Sequence, residues 1–309
     1  MNKSALLLLL LTTSLEVSAV AQTVNQSGNQ APAPIVRQAP SEPDAQAPPP
    51  SYPASVPPPA DQAPPPPPMA PQQLDGLVQR IALYPDPLLA QVLTASTFWY
   101  QIGDAAGWAN QHAYLRGDAL AQAIQADNLP WDPSVLALLP FPSVLDMMAR
   151  DPQWTGNLGN AVLNQRPDVM DAVQRERRIA RDYGYLATSP YYDVVDSGGY
   201  LEIQPLNPAY YYVPVYDPAI VFFAPRPGFV VAGAIHFGPA IVIGPSFGVF
   251  GWFGAGFGWG THAIFIDHRP WVRTFANRGV YVHPYGRPIA RPVGPRIESH
   301  PLRDDRHRR

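Results

Sequence analysis

From Gln22 to about Gln72 the chain is written almost entirely in Pro, Ala, Gln and Ser, with runs such as Pro64 to Pro68. Large apolar side chains are scarce there, so the stretch cannot bury enough surface to offset the entropy of ordering it, and it is expected to be disordered. Proline density favours the extended polyproline II form, whose rise of about 3.1 Å per residue lets roughly fifty residues reach on the order of 150 Å. Such a segment suits a spacer, or a ligand for a proline-reading groove. With Pro 40 and Gly 23 among 309 residues, the globular share is nearer one small domain with appendages than two full domains.

Ahead of the proline-rich linker, assigned to residues 22–72, the first 21 residues have the form of a signal peptide. Lys3 gives a charged start, Ala5 to Leu11 a short apolar run, and Ala19-Val20-Ala21 small residues spaced for cleavage after Ala21. The apolar run falls short of the roughly 20 residues a membrane-spanning helix needs. The expected address is the periplasm or cell envelope. The absence of cysteine excludes disulfides, thiolate metal sites, a thiol nucleophile and a lipid-bearing lipoprotein cysteine.

At Leu74 the pattern changes. Leu74, Leu77, Val78 and Ile81 recur at the i, i+3, i+4, i+7 spacing of an amphipathic helix. Short helices then follow, opened by an Asp that can accept from free backbone N–H groups and a Pro that fits the first helical position: Asp86-Pro87, Asp132-Pro133 and Asp151-Pro152. Asp118, Arg166-Pro167 and a break near Ser96-Thr97 open others. Roughly seven or eight helices are predicted between Leu74 and Tyr183, forming a helical domain over residues 73–186. Asp86, Asp118, Asp132 and Asp151 are all read as helix caps.

After Tyr185 the period shifts to two, and residues 187–226 read as a small antiparallel β segment. Val194-Val195, the turn Asp196 to Gly199, and Tyr200 to Ile203 predict a hairpin. Tyr210 to Tyr216 and Ile220 to Phe223 read as further strands, with Pro214 marking an edge. Residues 228–266 contain no Asp, Glu, Lys or Arg and are crowded with Gly, Phe and Trp. This segment, assigned to 227–267, is long enough to contact a membrane, with Trp252, Trp259 and Trp271 as interface residues; the alternative is irregular structure packed on the β segment. Residues 268–309 read as a disordered basic tail.

The fold class is therefore mainly α: a compact multi-helix domain, then a small antiparallel β segment, with a disordered Pro-rich leader and a Gly-, aromatic- and Arg-rich tail. Net charge is -3. Ten Arg against Glu298, Asp304 and Asp305 give the stretch from His268 onward +7 and leave -10 on the remainder. A basic tail on an acidic body suggests an anionic partner, and outside the cytoplasm that means anionic lipid or lipopolysaccharide rather than nucleic acid.

The run Ile81-Ala82-Leu83-Tyr84-Pro85-Asp86-Pro87-Leu88-Leu89-Ala90-Gln91-Val92-Leu93 resembles the opening signature of bacterial secreted proteins of the domain of unknown function 3300 family. Pro130 to Val135, Phe141 to Met148, Trp154 with Leu158-Gly159, Asp168 to Gln174, and Tyr212-Val213-Pro214-Val215-Tyr216-Asp217-Pro218 continue the resemblance in order. It covers roughly Leu74 to Phe223. The resemblance supports the architecture and the exported address, and brings no activity, substrate or catalytic residue with it.

Three groups of residues bear on chemistry. Gly244-Pro245-Ser246-Phe247-Gly248 fits the G-x-S-x-G pattern of a hydrolase elbow, with Asp267 and His268 or His283 following, but no βαβ alternation precedes it and no helix pattern follows. His262 and His268, with Asp267 adjacent, could meet a metal if the segment bends, but two ligands six residues apart are a thin basis and exposed tail histidines are the favoured reading, so no metal or cofactor is predicted. Tyr210, Tyr212 and Tyr216 project from one strand face, with Tyr211 on the other; packing against the helices is the favoured reading, and a binding platform for an envelope protein or polymer, such as a proline-rich peptide or a sugar polymer, is the best binding candidate. The reading is a non-enzymatic envelope protein that binds or spaces something. A membrane-inserting protein and a cell-wall hydrolase are the alternatives.

Overall fold

The computed structural model describes residues 65–225 and 233–283. The segment read as a signal peptide, most of the proline-rich stretch, residues 226–232 and the tail from residue 284 lie outside the described residues. The chain divides into a unit of residues 1–51, outside them altogether, and a unit of residues 52–309, to which all that follows belongs.

Eight helices open the body: α1 (Pro71–Val78), α2 (Asp86–Ser96), α3 (Trp99–Gln111), α4 (Gly117–Ala126), α5 (Pro133–Leu136), α6 (Pro142–Arg150), α7 (Pro152–Asn164) and α8 (Arg166–Asp182). The Asp-Pro punctuation works as expected in two places. Asp132 accepts from the N–H of Ser134 at 2.9 Å and Asp151 from that of Trp154 at 2.9 Å, each ahead of a Pro that opens the helix. Two expected caps are corrected. The position ahead of α2 is Pro85 and that ahead of α4 is Arg116, so Asp86 and Asp118 lie inside their helices and their carboxylates are used elsewhere.

Helix α2 is buried along its whole length, which an α-helix tolerates only when covered on every side. Its polar residues turn inward on the chain: Thr94 Oγ1 donates to the carbonyl of Ala90 at 2.9 Å and Ser96 Oγ to that of Leu93 at 2.7 Å. Helix α7 crosses α2 at Gly159, where an added Cβ would stand 2.2 Å from the carbonyl oxygen of Ser96. Helix α1 packs on α8, and α3 on α6.

The β segment begins with the expected hairpin, β1 (Tyr192–Ser197) paired antiparallel with β2 (Tyr200–Pro205). Gly198 and Gly199 form the two-residue turn with φ of 63° and 88°, a conformation that glycine adopts without steric cost. One edge of β2 meets side chains instead of a strand. The N–H of Leu201 donates to Gln174 Oε1 at 2.8 Å, and the Gln174 amide returns a bond to the Leu201 carbonyl at 3.0 Å.

Beyond the hairpin the expected strands are corrected in two ways. Tyr210 to Tyr216 is not one strand: β3 (Tyr210–Tyr211) pairs with β6 (Ile241–Val242), whereas β4 (Pro214–Tyr216) pairs with β5 (Ile235–Phe237). Ile220 to Phe223 is not a strand either, because Asp217-Pro218 repeats the cap-and-proline signal and opens α9 (Pro218–Val221), with Asp217 accepting from the N–H of Ala219 at 2.9 Å.

The uncharged glycine-aromatic segment supplies the missing cover for α2. Strands β7 (Gly256–Gly258) and β8 (Ala263–Ile266) pack on that helix, and β9 (Arg269–Pro270) completes a three-stranded sheet with them. Trp252, Trp259 and Trp271, read from the sequence as interface residues, are buried in the body. Trp252 Nε1 donates to the carbonyl of Ala137 at 2.9 Å. Among the described residues no helix is long and apolar enough to cross a membrane. The packed body also runs past the boundary set at residue 268. Trp271 and Arg273 are buried, Arg166 holds the carbonyls of both, and His283 meets Asp132 at 2.7 Å.

Candidate functional site

Asp86 and Arg177 form a fully buried ion pair, and both are committed to the fold. Arg177 occupies the apolar stripe of α8, eight residues after Val169 and four after Val173, and is fully buried. Its Nη1 lies 2.7 Å from Asp86 Oδ1; its donors also reach the carbonyls of Ala82 at 2.8 Å, Leu201 at 2.7 Å and Tyr84 at 3.0 Å. Trp259 closes the other side, its Nε1 donating to Asp86 Oδ2 at 3.0 Å and its ring facing the guanidinium at 5.0 Å. Burial pushes the Asp86 carboxyl above its ordinary range, opposed by Arg177, by the Trp259 and Arg177 hydrogen bonds and by the N–H of Ile203. This centre ties α2, α8, the hairpin and the C-terminal sheet together without opening to solvent.

A second polar cluster is largely buried. Asp132 Oδ1 accepts from the N–H of Ser134, from Ser134 Oγ at 2.6 Å and faces His283 Nε2 at 2.7 Å. Serine, aspartate and histidine meet here, but the carboxylate stands in the middle and the fully buried serine donates to it. A nucleophilic serine needs the histidine as its immediate base.

The G-x-S-x-G serine lies in a 3₁₀ turn, Pro245–Phe250, behind the two-residue strand β6, and Ser246 Oγ donates to Asp118 Oδ1 at 2.8 Å. That carboxylate, read as a cap, instead anchors the turn to α4. His262 sits 3.0 Å from Asp171 Oδ1, while the ring of His268 covers Gly254, so the two histidines serve different contacts. Among the described residues no three His, Asp or Glu side chains gather as a metal set.

The three tyrosines read as one platform are distributed. Tyr210 is largely exposed on β3 while its neighbour Tyr211 is buried against Trp252. Tyr216 turns its hydroxyl into the body, donating to the carbonyl of Gln79 at 2.8 Å and accepting from the N–H of Leu83 at 3.3 Å. Burial drives its phenol well above the ordinary tyrosine range. Tyr212 stands elsewhere, with its ring centroid 4.4 Å from that of Tyr191, which in turn lies 4.8 Å from Phe237. The hydroxyl of Tyr192 sits between the N–H and carbonyl of Tyr212 and fixes the backbone there.

Beside this half-buried aromatic trio opens a cleft of about 160 Å³ between the chain leaving α8 and the β segment. Leu186, Tyr192, Val194, Ile203, Pro214 and Phe237 give it apolar walls. Ser189 also lines it, its Oγ accepting from the N–H groups of Tyr191 and Tyr192. The cleft and the trio share Phe237 and adjoin as one apolar surface with phenolic handles, a composition common to ligand sites. Sequence reading found Tyr212 but missed Tyr191 and Phe237, whose ring partners lie at distances that no local period encodes.

Comparison with known proteins agrees with the resemblance seen in the sequence. The family described as "Protein of unknown function (DUF3300)" matches residues 70–283. The chain is 35% identical to the uncharacterized protein YacH of Escherichia coli (strain K12) over 182 residues, covering 48% of this chain and 29% of that protein. It thus spans under a third of that relative's length. No solved structure matches. The family match begins one residue before α1 and ends at His283, the residue that meets Asp132. Helical body, β segment and C-terminal cover therefore form one inherited unit, and the chain belongs to the DUF3300 family of proteins of unknown function.

Proposed function

We propose that this chain is an exported cell-envelope protein that binds or spaces a partner without catalysing a reaction. The observation that carries the reading is the apolar surface made by the cleft and the Tyr191, Tyr212 and Phe237 rings. Surfaces of this kind gain affinity by covering apolar groups and orientation from a few polar handles. The polar side chains of Asp86, Arg177, Asp132 and His283 already meet one another in pairs within the fold, which favours a structural over a catalytic use for them.

The export part of the proposal rests on the first 21 residues and the proline-rich linker that follows. The linker acts as a tether, and the Arg residues from Arg287 to Arg309 as the contact with an anionic lipid or lipopolysaccharide surface. Arg273 takes no part in that contact, since it is buried with its donors on the carbonyls of Thr97 and Arg278. Crosslinking the mature protein in cells and identifying what is captured tests the reading. An envelope protein or polymer bound through the Tyr212 surface supports it; turnover of wall fragments by the purified chain overturns it in favour of a hydrolase.

A further inference from the structure

We infer that the aromatic surface takes a proline-rich stretch from a second copy of this chain. The inference rests on the binding reading above and names its occupant. Tyr191, Tyr212 and Phe237 are each half-buried, and ring centroids 4.4 and 4.8 Å apart set the three rings side by side. The adjoining cleft holds about 160 Å³, close to the roughly 150 Å³ that accommodates one benzene ring. One pyrrolidine ring fits in such a space.

A polyproline II helix repeats every three residues at about 3.1 Å each, so prolines at i and i+3 project from one face roughly 9 Å apart. One enters the cleft while the other lies on the Tyr191 and Tyr212 rings. The peptide's carbonyls make no bonds within a polyproline II helix, and the phenols of Tyr191 and Tyr212 can donate to them. The groove pays little ordering entropy, because such a ligand is already extended before it binds.

The chain carries this ligand itself. Pro57 to Pro59 and Pro64 to Pro68 precede α1, and 64 residues stand ahead of Pro65. Pro65 to Pro68 are exposed where they enter the body. They enter at the far end of α8 from the cleft: Met69 is pinned to Gln165, one residue before α8, whereas the cleft is lined by Gly184 to Ser189, just after it. The 17 residues of that helix separate the two by roughly 25 Å. At about 3.1 Å per residue the Pro64 to Pro68 run reaches roughly 16 Å, short of the cleft of its own chain, and another copy's run meets no such constraint. Groove and ligand on different parts of one chain make a head-to-tail contact, which builds open assemblies rather than closed pairs.

Sedimentation equilibrium of the full chain, with and without a synthetic peptide of residues 52–68, tests this. The expected result is concentration-dependent association that the peptide reverses. Tyr191→Ala with Tyr212→Ala is expected to weaken it about tenfold or more, as loss of aromatic contacts worth a decade in affinity would. Pro57→Ser, Pro58→Ser and Pro59→Ser together, outside the folded body, should weaken it with unchanged thermal unfolding. A monomer at every concentration, or association indifferent to both the peptide and the proline changes, overturns the inference. A monomer that still captures an envelope partner by crosslinking through Tyr212 would leave the binding reading standing and sink only this step; a monomer that captures nothing would sink both.

Discussion

Nη1 of Arg177 lies 2.7 Å from Oδ1 of Asp86, and both side chains are buried. Removing either partner leaves the other charge uncompensated inside the body, which costs about 3–5 kcal/mol. Asp86→Ala and Arg177→Ala are therefore expected to lower the unfolding free energy by that amount in urea titration at neutral pH. Arg177→Ala should be the worse, since it also strips the carbonyls of Ala82, Tyr84 and Leu201 of a donor. A loss of less than about 1 kcal/mol in both would show that the centre does not hold the body together.

Trp259 reports whether the glycine-aromatic segment belongs to the body in solution. Trp259→Phe keeps a ring over Arg177 but removes the donor to Asp86 Oδ2. The cost of a lost bond to a charged acceptor is about 1.5–3 kcal/mol. Thermal unfolding measured against Phe253→Ala, which truncates an exposed ring on the same segment, should show the Trp259 variant far less stable. Equal melting temperatures would mean the segment does not close over α2.

Asp132 combines a cap with a tertiary contact. An ordinary cap is worth about 1 kcal/mol, but Asp132 also holds Ser134 Oγ and His283. Asp132→Ala is expected to cost about 2–4 kcal/mol, the cap plus a buried charged contact. Asp132→Asn retains a good cap and should recover roughly the first 1 kcal/mol of that loss. Chemical denaturation of the two variants side by side separates the contributions; identical losses would mean the cap contributes nothing.

Gly159 tests the crossing of α2 and α7. In an exposed helix, Gly to Ala is favourable by about 1 kcal/mol. At Gly159 the new methyl would stand 2.2 Å from the Ser96 oxygen and 2.7 Å from its carbonyl carbon, both backbone atoms. Gly159→Ala should destabilise by about 1–3 kcal/mol or more. Gly103→Ala and Gly107→Ala on α3 meet open space and are expected to raise stability by about 0.5–1 kcal/mol. The opposite ordering in a melting series would rule out this crossing.

The helices were legible because each carries its own punctuation: Pro133, Pro142, Pro152 and Pro167 stand in first turns, and apolar residues repeat at helical spacing behind them. The hairpin was legible from Gly198-Gly199 for the same local reason. Asp86 was misread as a cap because its Asp-Pro pair is identical to that of Asp132, and only partners 91 residues (Arg177) and 173 residues (Trp259) away distinguish them. A signal did exist at the other end. An arginine in register with Val169 and Val173 on an otherwise apolar stripe needs a buried acceptor, and Arg177 had that register. The two- and three-residue strands that split the Tyr210, Tyr212 and Tyr216 set are too short to show a period at all, so the binding surface could be read only in part.

The Gln174 side chain occupies both hydrogen-bonding positions of Leu201, as a neighbouring strand would. On the opposite side of the hairpin, the Thr188 and Ser189 hydroxyls accept from Val194 and Tyr192. The ribbon is thereby insulated against growth by amyloid-like stacking, a hazard for any uncovered β edge. A protein whose copies gather through extended proline segments can crowd together without its strands zipping into fibrils.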